Sequence, residues 1–362
     1  GAPTALTHMG ESWSKPLITW VNWQGKRKLV MVVGGGYDRA YESPDYAAEP
    51  SKGAGVYMFD ADDGKLLWWA SKHATNNATE NKVGDLKYSV VSQIKAVDRN
   101  NDGLTDHFYF GDLGGQLWRI DWGNLATTGV SGETARVTRL LNLNDGKNSP
   151  RFYTTPTFTI HNTVNDKLAV ITIGSGDFSS PMSAGVNPND AVYVIFDKDV
   201  TKRNLPVLKP DQLKTRNLVL TDLVKNNKTD SVGIDKNGWY YPLPSKYRIL
   251  NDHIAIDNDL YVSIFNANED IDNKSCTGGI RGKSTAQLFC LPYGGNQCFT
   301  GKSPDGKDIE YDSEFDLGRG NVGINLGGLK RNRSIILNAP NSLKLKDYQG
   351  KTQFISQRWY ER

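Results

Sequence analysis

Val56-Tyr-Met-Phe-Asp60-Ala-Asp-Asp63-Gly64-Lys-Leu-Leu-Trp68 reads as a strand, a turn and a returning strand that carries a tryptophan. Asp and Gly supply the tight reversal, and the returning Trp has the size to pack between sheets. The strand-to-Asp part of this phrase recurs as Gly114-Gly115-Gln-Leu117-Trp118-Arg-Ile120-Asp121-Trp122 and as Ala191-Val-Tyr-Val-Ile-Phe196-Asp197-Lys-Asp199. A degenerate fourth copy is Gln287-Leu-Phe-Cys290-Leu-Pro-Tyr-Gly294-Gly295. Similar hairpins recurring along one chain point to radially arranged four-stranded blades.

The rest of the chain agrees with an all-β reading. Short runs rich in Val, Ile, Tyr and Phe occupy 28–33, 55–59, 107–110, 168–173, 191–196 and 260–265. Each is of strand length and is bounded by Gly, Asn or Asp. The copies are unevenly spaced, so insertions are expected at 38–52, 71–85, 201–236 and 301–316. A short helix or a long irregular excursion is expected over 211–225. There is no clean linker, so residues 1–362 are read as one domain.

Composition narrows the function. Among 362 residues, 43 Lys and Arg stand against 40 Asp and Glu, a net charge of +3. That excess is too small to argue for nucleic acid or an anionic membrane. The most apolar stretch, 29–33, is far short of a membrane span. Strict hydrophobics are only 38%, but 9 Trp, 16 Tyr and 12 Phe add large rings suited to sheet faces. Cys276, Cys290 and Cys298 lack metal-ligand spacing, and two of them are expected to pair in an oxidising compartment.

The sharpest local signal is Asp98-Arg-Asn100-Asn-Asp102-Gly103-Leu104-Thr-Asp106. Side-chain oxygens stand at loop positions 1, 3, 5 and 9, and Gly stands at position 6. Ca²⁺ takes six to eight oxygens, and this spacing lets positions 1, 3 and 5 converge while position 7 offers its carbonyl. The expected ligands of one calcium ion are therefore Asp98, Asn100, Asp102, the Leu104 carbonyl and Asp106. Position 12 is Tyr109, not the bidentate Glu of an EF-hand, and a strand follows, so Asp106 is expected to close the site. Magnesium, which favours stricter geometry and retained waters, fits less well.

Nothing points to catalysis. His8, His73, His107, His161 and His253 form no H-E-x-x-H, and there is no G-x-S-x-G elbow. Gly174-Ser175-Gly176-Asp177 and Gly34-Gly35-Gly36-Tyr37-Asp38 read as structural turns, and Asp60-Ala-Asp62-Asp63-Gly64 as the turn of the repeat.

Several phrases in chain order resemble the C-terminal domain of the PilC/PilY family of type IV pilus biogenesis factors and tip-associated adhesins. They are Gly10-Glu-Ser12-Trp13-Ser14-Lys-Pro16, Gly34-Gly35-Gly36-Tyr37, the 60–68 hairpin, and the 98–106 loop running into Gly111-Asp112-Leu113-Gly114-Gly115-Gln116-Leu117-Trp118-Arg119. Gly238-Trp239-Tyr240 before Leu243-Pro244, Cys276-Thr-Gly-Gly, and Ile355-Ser-Gln-Arg-Trp359 extend the resemblance.

The resemblance implies a modified seven-bladed, quinoprotein-like β-propeller with loop insertions and one calcium site at the five residues named above. It also implies a C-terminal fragment of a longer exported protein, in the periplasm or at the cell surface. Its partners would be pilins and minor pilins, and host or abiotic surfaces. Calcium would bias pilus extension against retraction, and with it attachment and twitching motility. No Arg-Gly-Asp tripeptide occurs, so integrin binding by that route is not supported. A quinone-cofactor dehydrogenase shares the Asp-x-x-x-Gly-x-x-x-Trp hairpin, but its usual adjacent cysteines are absent. An integrin-like calcium propeller normally repeats its calcium loop in several blades, and here there is one.

Overall fold

A computed structural model describes residues 4–349 apart from 44–47, 123–134, 147–148, 165, 184–189, 206–207, 269–280, 303–304, 330–331 and 337–347. Its regular secondary structure is almost wholly strand, with a few 3₁₀ turns. The first sheet runs β1 (Leu17–Trp23), β2 (Lys26–Gly34), β3 (Val56–Asp60), β4 (Leu66–Ser71) and β5 (Glu80–Lys82), the last parallel to β4. The second is the antiparallel meander β6 (Lys95–Val97), β7 (His107–Gly111), β8 (Gln116–Trp122) and β9 (Ala135–Asn142).

In the third sheet β10 (Thr157–Asn162), β11 (Lys167–Gly174) and β12 (Ala191–Asp197) are followed in space by β14 (Gly238–Pro242), with β13 (Val224–Lys225) parallel at its edge. The fourth holds β15 (Tyr247–Arg248), β16 (Ile254–Ile256), β17 (Asp259–Asn266) and β18 (Lys283–Cys290). After a small hairpin of β19 (Thr300–Lys302) and β20 (Asp308–Glu310), β21 (Glu314–Arg319) joins its edge. A three-stranded sheet of β22 (Asn325–Leu329), β23 (Asn332–Ile336) and β24 (Tyr348–Gln349) follows.

The four copies of the repeated phrase fall on β3, β8, β12 and β18, the third strand of each main sheet. Among the described residues the first copy shows the whole hairpin. There Gly64, at φ +74°, donates its N–H to the Asp60 carbonyl at 2.9 Å and turns β3 into β4. The returning Trp68 packs edge-on against Trp122 of the second sheet, 5.2 Å between ring centres. After β12 and β18 the chain leaves on the long excursions expected from the uneven spacing.

Apolar layers separate successive sheets. Val30, Val32, Met58 and Trp68 of the first sheet meet Phe108, Phe110, Trp118, Ile120 and Trp122 of the second. Tyr109, Leu117 and Leu141 meet Ile171, Ile173, Tyr193 and Ile195 of the third. Val192, Val194, Phe196 and Trp239 meet Leu260, Val262, Ile264 and Phe289 of the fourth. Side chains alternate between the faces of a strand, so β8 and β12 bury both faces. That is why β12 reads as a nearly unbroken apolar run rather than as an alternating one, whereas β8 buries Arg119 and Asp121 among its apolar residues. Edge strands of consecutive sheets are neighbours: β1 beside β6, β6 beside β10, β10 beside β16.

The all-β class stands as read. No sheet among the described residues closes into a barrel, and four of them show the repeated pattern. Over 211–225 the chain takes the irregular course. It makes 3₁₀ turns at Pro210–Gln212 and Leu220–Asp222, because the backbone between them bonds to β9 instead of to itself. Leu218 donates to the Leu140 carbonyl at 2.9 Å, and its own carbonyl accepts from Asn142 at 2.7 Å. Cys290 and Cys298 form a disulfide. Cys276, with the phrase that follows it, and residues 355–359 lie outside the described residues. No helix among the described residues is long and apolar enough to cross a membrane.

Candidate calcium loop

Residues 98–106 leave β6 and return into β7 as a short, self-bonded loop. Asp98 accepts from the Asn101 N–H at 2.6 Å and the Gly103 N–H at 2.8 Å, one on each carboxylate oxygen. The Asn100 side-chain oxygen accepts from the Asp102 N–H at 3.0 Å, and Asp102 accepts from the Leu104 N–H at 2.8 Å. Asn101 and Gly103 have φ of +61° and +83°, and these two left-handed residues wrap the chain around its own acids. A Cβ at Gly103 would meet the end of the Arg27 side chain at an ordinary 3.7 Å, so the requirement for Gly there is backbone conformation, not room.

Of the five expected ligands, Asp98, Asn100 and Asp102 are exposed, Leu104 is half-buried and Asp106 is buried. The Asp106 carboxylate accepts from the Arg99 N–H at 2.8 Å, so position 9 reaches back to position 2 and draws the two ends together. Tyr109 is wholly buried with its hydroxyl donated to Asp197 at 3.0 Å, and it takes no part in the loop. The donor set is all oxygen, as a hard cation requires. Neither Asp98 nor Asp102 forms an ion pair among the described residues, although the Arg27 guanidinium lies against the loop at Gly103. The carboxylates face backbone amides, and no group of three His, Cys, Asp or Glu among the described residues is gathered around one point. The residue types and their spacing suit a hard cation, while the oxygens are engaged by N–H donors of the same loop and are not gathered on one point.

The loop is tied to its surroundings on both sides. Thr105 donates its N–H to the Trp20 carbonyl of β1 at 2.8 Å, and the Thr19 and Thr105 hydroxyls are bonded at 2.7 Å. On the other side the Arg99 guanidinium donates to the carbonyls of Val200 and Lys202, each at 3.3 Å. The loop on the second sheet thus touches the edge strand of the first sheet and the segment leaving the third.

Behind it lies a buried ionic network that the sequence reading missed. Arg119 of β8 donates to Asp121 at 2.8 Å and to Asp197 of β12 at 2.7 Å. Asp121 also meets His107 Nδ1 at 2.8 Å and Arg136 of β9 at 2.6 Å. Arg119, Asp121 and Asp197 are fully buried. Burial alone would raise the Asp121 pKa, but Arg119, His107 and Arg136 outweigh it and hold the carboxyl far below the usual range. The repeat reading took Asp121 as the end of a repeated phrase, whereas it is the carboxylate at which Arg119, His107 and Arg136 converge. A signal was present: Arg119 and Asp121 interrupt an otherwise apolar strand, and a charge in such a place needs a partner.

The remaining motifs are structural. Burial lifts the Asp112 carboxyl to about 7, yet it is locked by the Gly114 and Gln116 N–H groups and by the Trp118 indole. Asp190, likewise lifted to about 7 by burial, accepts from the Ser175 hydroxyl at 2.8 Å. That bond fixes the 174–177 turn. Gly34 and Gly35 pass so close to the Val90 and Gly53 backbones that a Cβ at either would collide with a carbonyl oxygen at 2.3 Å.

No family model matches the chain. No curated protein matches it either. Among solved structures, the crystal structure of the Pseudomonas aeruginosa PilY1 C-terminal domain superposes with a TM-score of 0.62 at 15% identity, over 94% of this chain and 73% of that one. The sequence resemblance and the superposition arrive at the same domain independently: this chain shares the fold of the PilY1 C-terminal domain.

Proposed function

We propose that this chain is a calcium-binding, non-catalytic module of a type IV pilus biogenesis and adhesion factor. In this reading residues 1–362 form one domain, a modified seven-bladed propeller. The succession of similar sheets, with an edge strand of each beside one of the next, supports that architecture. The ion would be held by Asp98, Asn100, Asp102, the Leu104 carbonyl and Asp106. The partners would be pilins or minor pilins and the surface to which the pilus attaches. The domain would work in the periplasm and at the cell surface.

The observation that carries the reading is the self-wrapped 98–106 loop, set in a fold shared with a pilus-associated domain and bonded to both neighbouring sheets. Asp98 and Asp102 would turn from backbone amides to the ion, and bound calcium would supply the positive charge that offsets their repulsion. Asp106 holds the end of the loop to its start, and Thr105 and Arg99 carry that order to β1 and to the 197–202 turn. Calcium occupancy would thereby set the surface offered to a pilus partner.

Calorimetric titration of the wild type is expected to find one calcium ion per chain. Asp102→Ala is expected to abolish binding with little loss of fold, because the core does not depend on this loop. Unchanged calcium affinity in that variant would refute the ligand assignment. Lost affinity with normal piliation and twitching would refute the regulatory role.

A further inference from the structure

A lysine meets a glutamine where the third sheet abuts the fourth, with a glutamate on the next strand, far in sequence from the calcium loop. Lys228 follows β13 in a segment held at several points. The Asn226 N–H donates to the Tyr240 carbonyl at 2.8 Å, its side chain donates to the Asp230 carbonyl at 3.0 Å, and its side-chain oxygen accepts from the Lys228 N–H at 2.7 Å. Lys228 itself sits at φ +68°. This strained, anchored backbone sends the side chain across to β18, where Nζ lies 2.6 Å from Oε1 of the buried Gln287.

Lys228 is half-buried, with two aromatic rings beside its amine. Nζ stands 4.5 Å from the Phe289 ring centre and 5.1 Å from that of Tyr241. Lys228 forms no ion pair among the described residues, and burial lowers its pKa to about 8, so a share of neutral amine is present near neutral pH. Glu314 of β21 is directly opposite Gln287 in the antiparallel ladder. Paired residues in such a ladder project from the same face, which brings the Glu314 carboxylate beside the amide.

We propose that Lys228 and Gln287 become joined by an intramolecular isopeptide bond, with Glu314 moving the proton. The neutral Lys228 amine adds to the Gln287 amide carbon, forming the Nζ–Cδ bond. Glu314 takes a proton from the attacking nitrogen and passes it to Nε2. The Cδ–Nε2 bond breaks and ammonia leaves. One amide replaces another, so no oxidant, reductant or further reactant is consumed. The anchored segment, the contact of amine with amide and the aromatic wall beside it supply what an intramolecular reaction of this kind needs: proximity, orientation and a nucleophilic amine.

The product would fasten the third sheet to the fourth through side chains 59 residues apart in sequence. That is a useful brace in a module that carries load between a fibre and a surface. The chemistry itself stands whether or not the calcium reading holds.

Intact-mass measurement of the purified whole chain, after incubation in mildly alkaline buffer with the disulfide kept, tests the proposal. The mass is expected to fall short of the sequence mass by one ammonia, and peptide mapping is expected to find a branched peptide linking residues 228 and 287. Lys228→Arg keeps the cation over the rings and is expected to restore the full mass. Glu314→Gln is expected to slow the loss of ammonia. A wild-type chain that keeps its full mass, with both side chains free in the map, overturns the proposal. So does a loss of ammonia that persists in Lys228→Arg, because it would then arise elsewhere.

Discussion

Arg119 shows how much one side chain can decide without announcing itself. It lies wholly inside the protein between two carboxylates on different sheets. Replacing one partner of such a pair leaves uncompensated charge in an apolar place. Arg119→Met is therefore expected to destabilise the fold by about 3–5 kcal/mol. Chemical denaturation monitored by circular dichroism measures this, and a loss below about 1 kcal/mol would mean the network is not closed in solution. Gly103 presents the opposite case. It is exposed and touches little, yet its left-handed backbone is what lets Gly103 N–H reach Asp98. Gly103→Ala is expected to cost about 1–2 kcal/mol of local order in the loop and to weaken calcium binding, while global stability changes little. Unaltered calcium affinity in that variant, read by calorimetry, would show that the wrap is not needed.

At the scale of elements, the segment after β18 illustrates a constraint that strands cannot provide. Between β18 and β21 the chain makes a 3₁₀ turn and the β19–β20 hairpin, neither of which shares the ladders of the fourth sheet. The Cys290–Cys298 bridge ties the start of this segment to the end of β18, and the Cys298 N–H donates to Cys290 Sγ. Both cysteines belong to the apolar layer with Tyr261, Leu288 and Phe315. Closing so short a loop is expected to contribute about 2–3 kcal/mol by restricting the unfolded chain. Cys298→Ser should lower the denaturant midpoint accordingly, and the same shift should appear in the wild type on addition of reductant. The strands themselves were largely legible beforehand. Each run read as a strand at 28–33, 107–110, 168–173, 191–196 and 260–265 lies inside one. The 211–225 segment was ambiguous because its leucines suit a helix face or a β bridge equally well. Only the presence of β9 beside it favours the bridge.

Across the whole molecule, three apolar layers join four sheets in series, and each middle sheet contributes a face to two layers. No main sheet can lose its packing without exposing a neighbour. Unfolding followed by tryptophan fluorescence and by far-ultraviolet circular dichroism is expected to give coincident transitions for the described core. Separated transitions would mean that the sheets open independently.

What the sequence determined by itself was local: the strands, the repeated third-strand phrase, and the 98–106 loop whose oxygens and glycine stand at fixed spacings. These depend on near neighbours, whose periodicity and turn chemistry are written in order along the chain. What only the tertiary structure decided was which distant groups meet. Arg119 with Asp197, Arg99 with the Val200 and Lys202 carbonyls, and Lys228 with Gln287 are each brought together by the stacking of sheets. No spacing in the sequence encodes such contacts, because they follow from the registers and crossings of strands that are set only once the layers between them have packed.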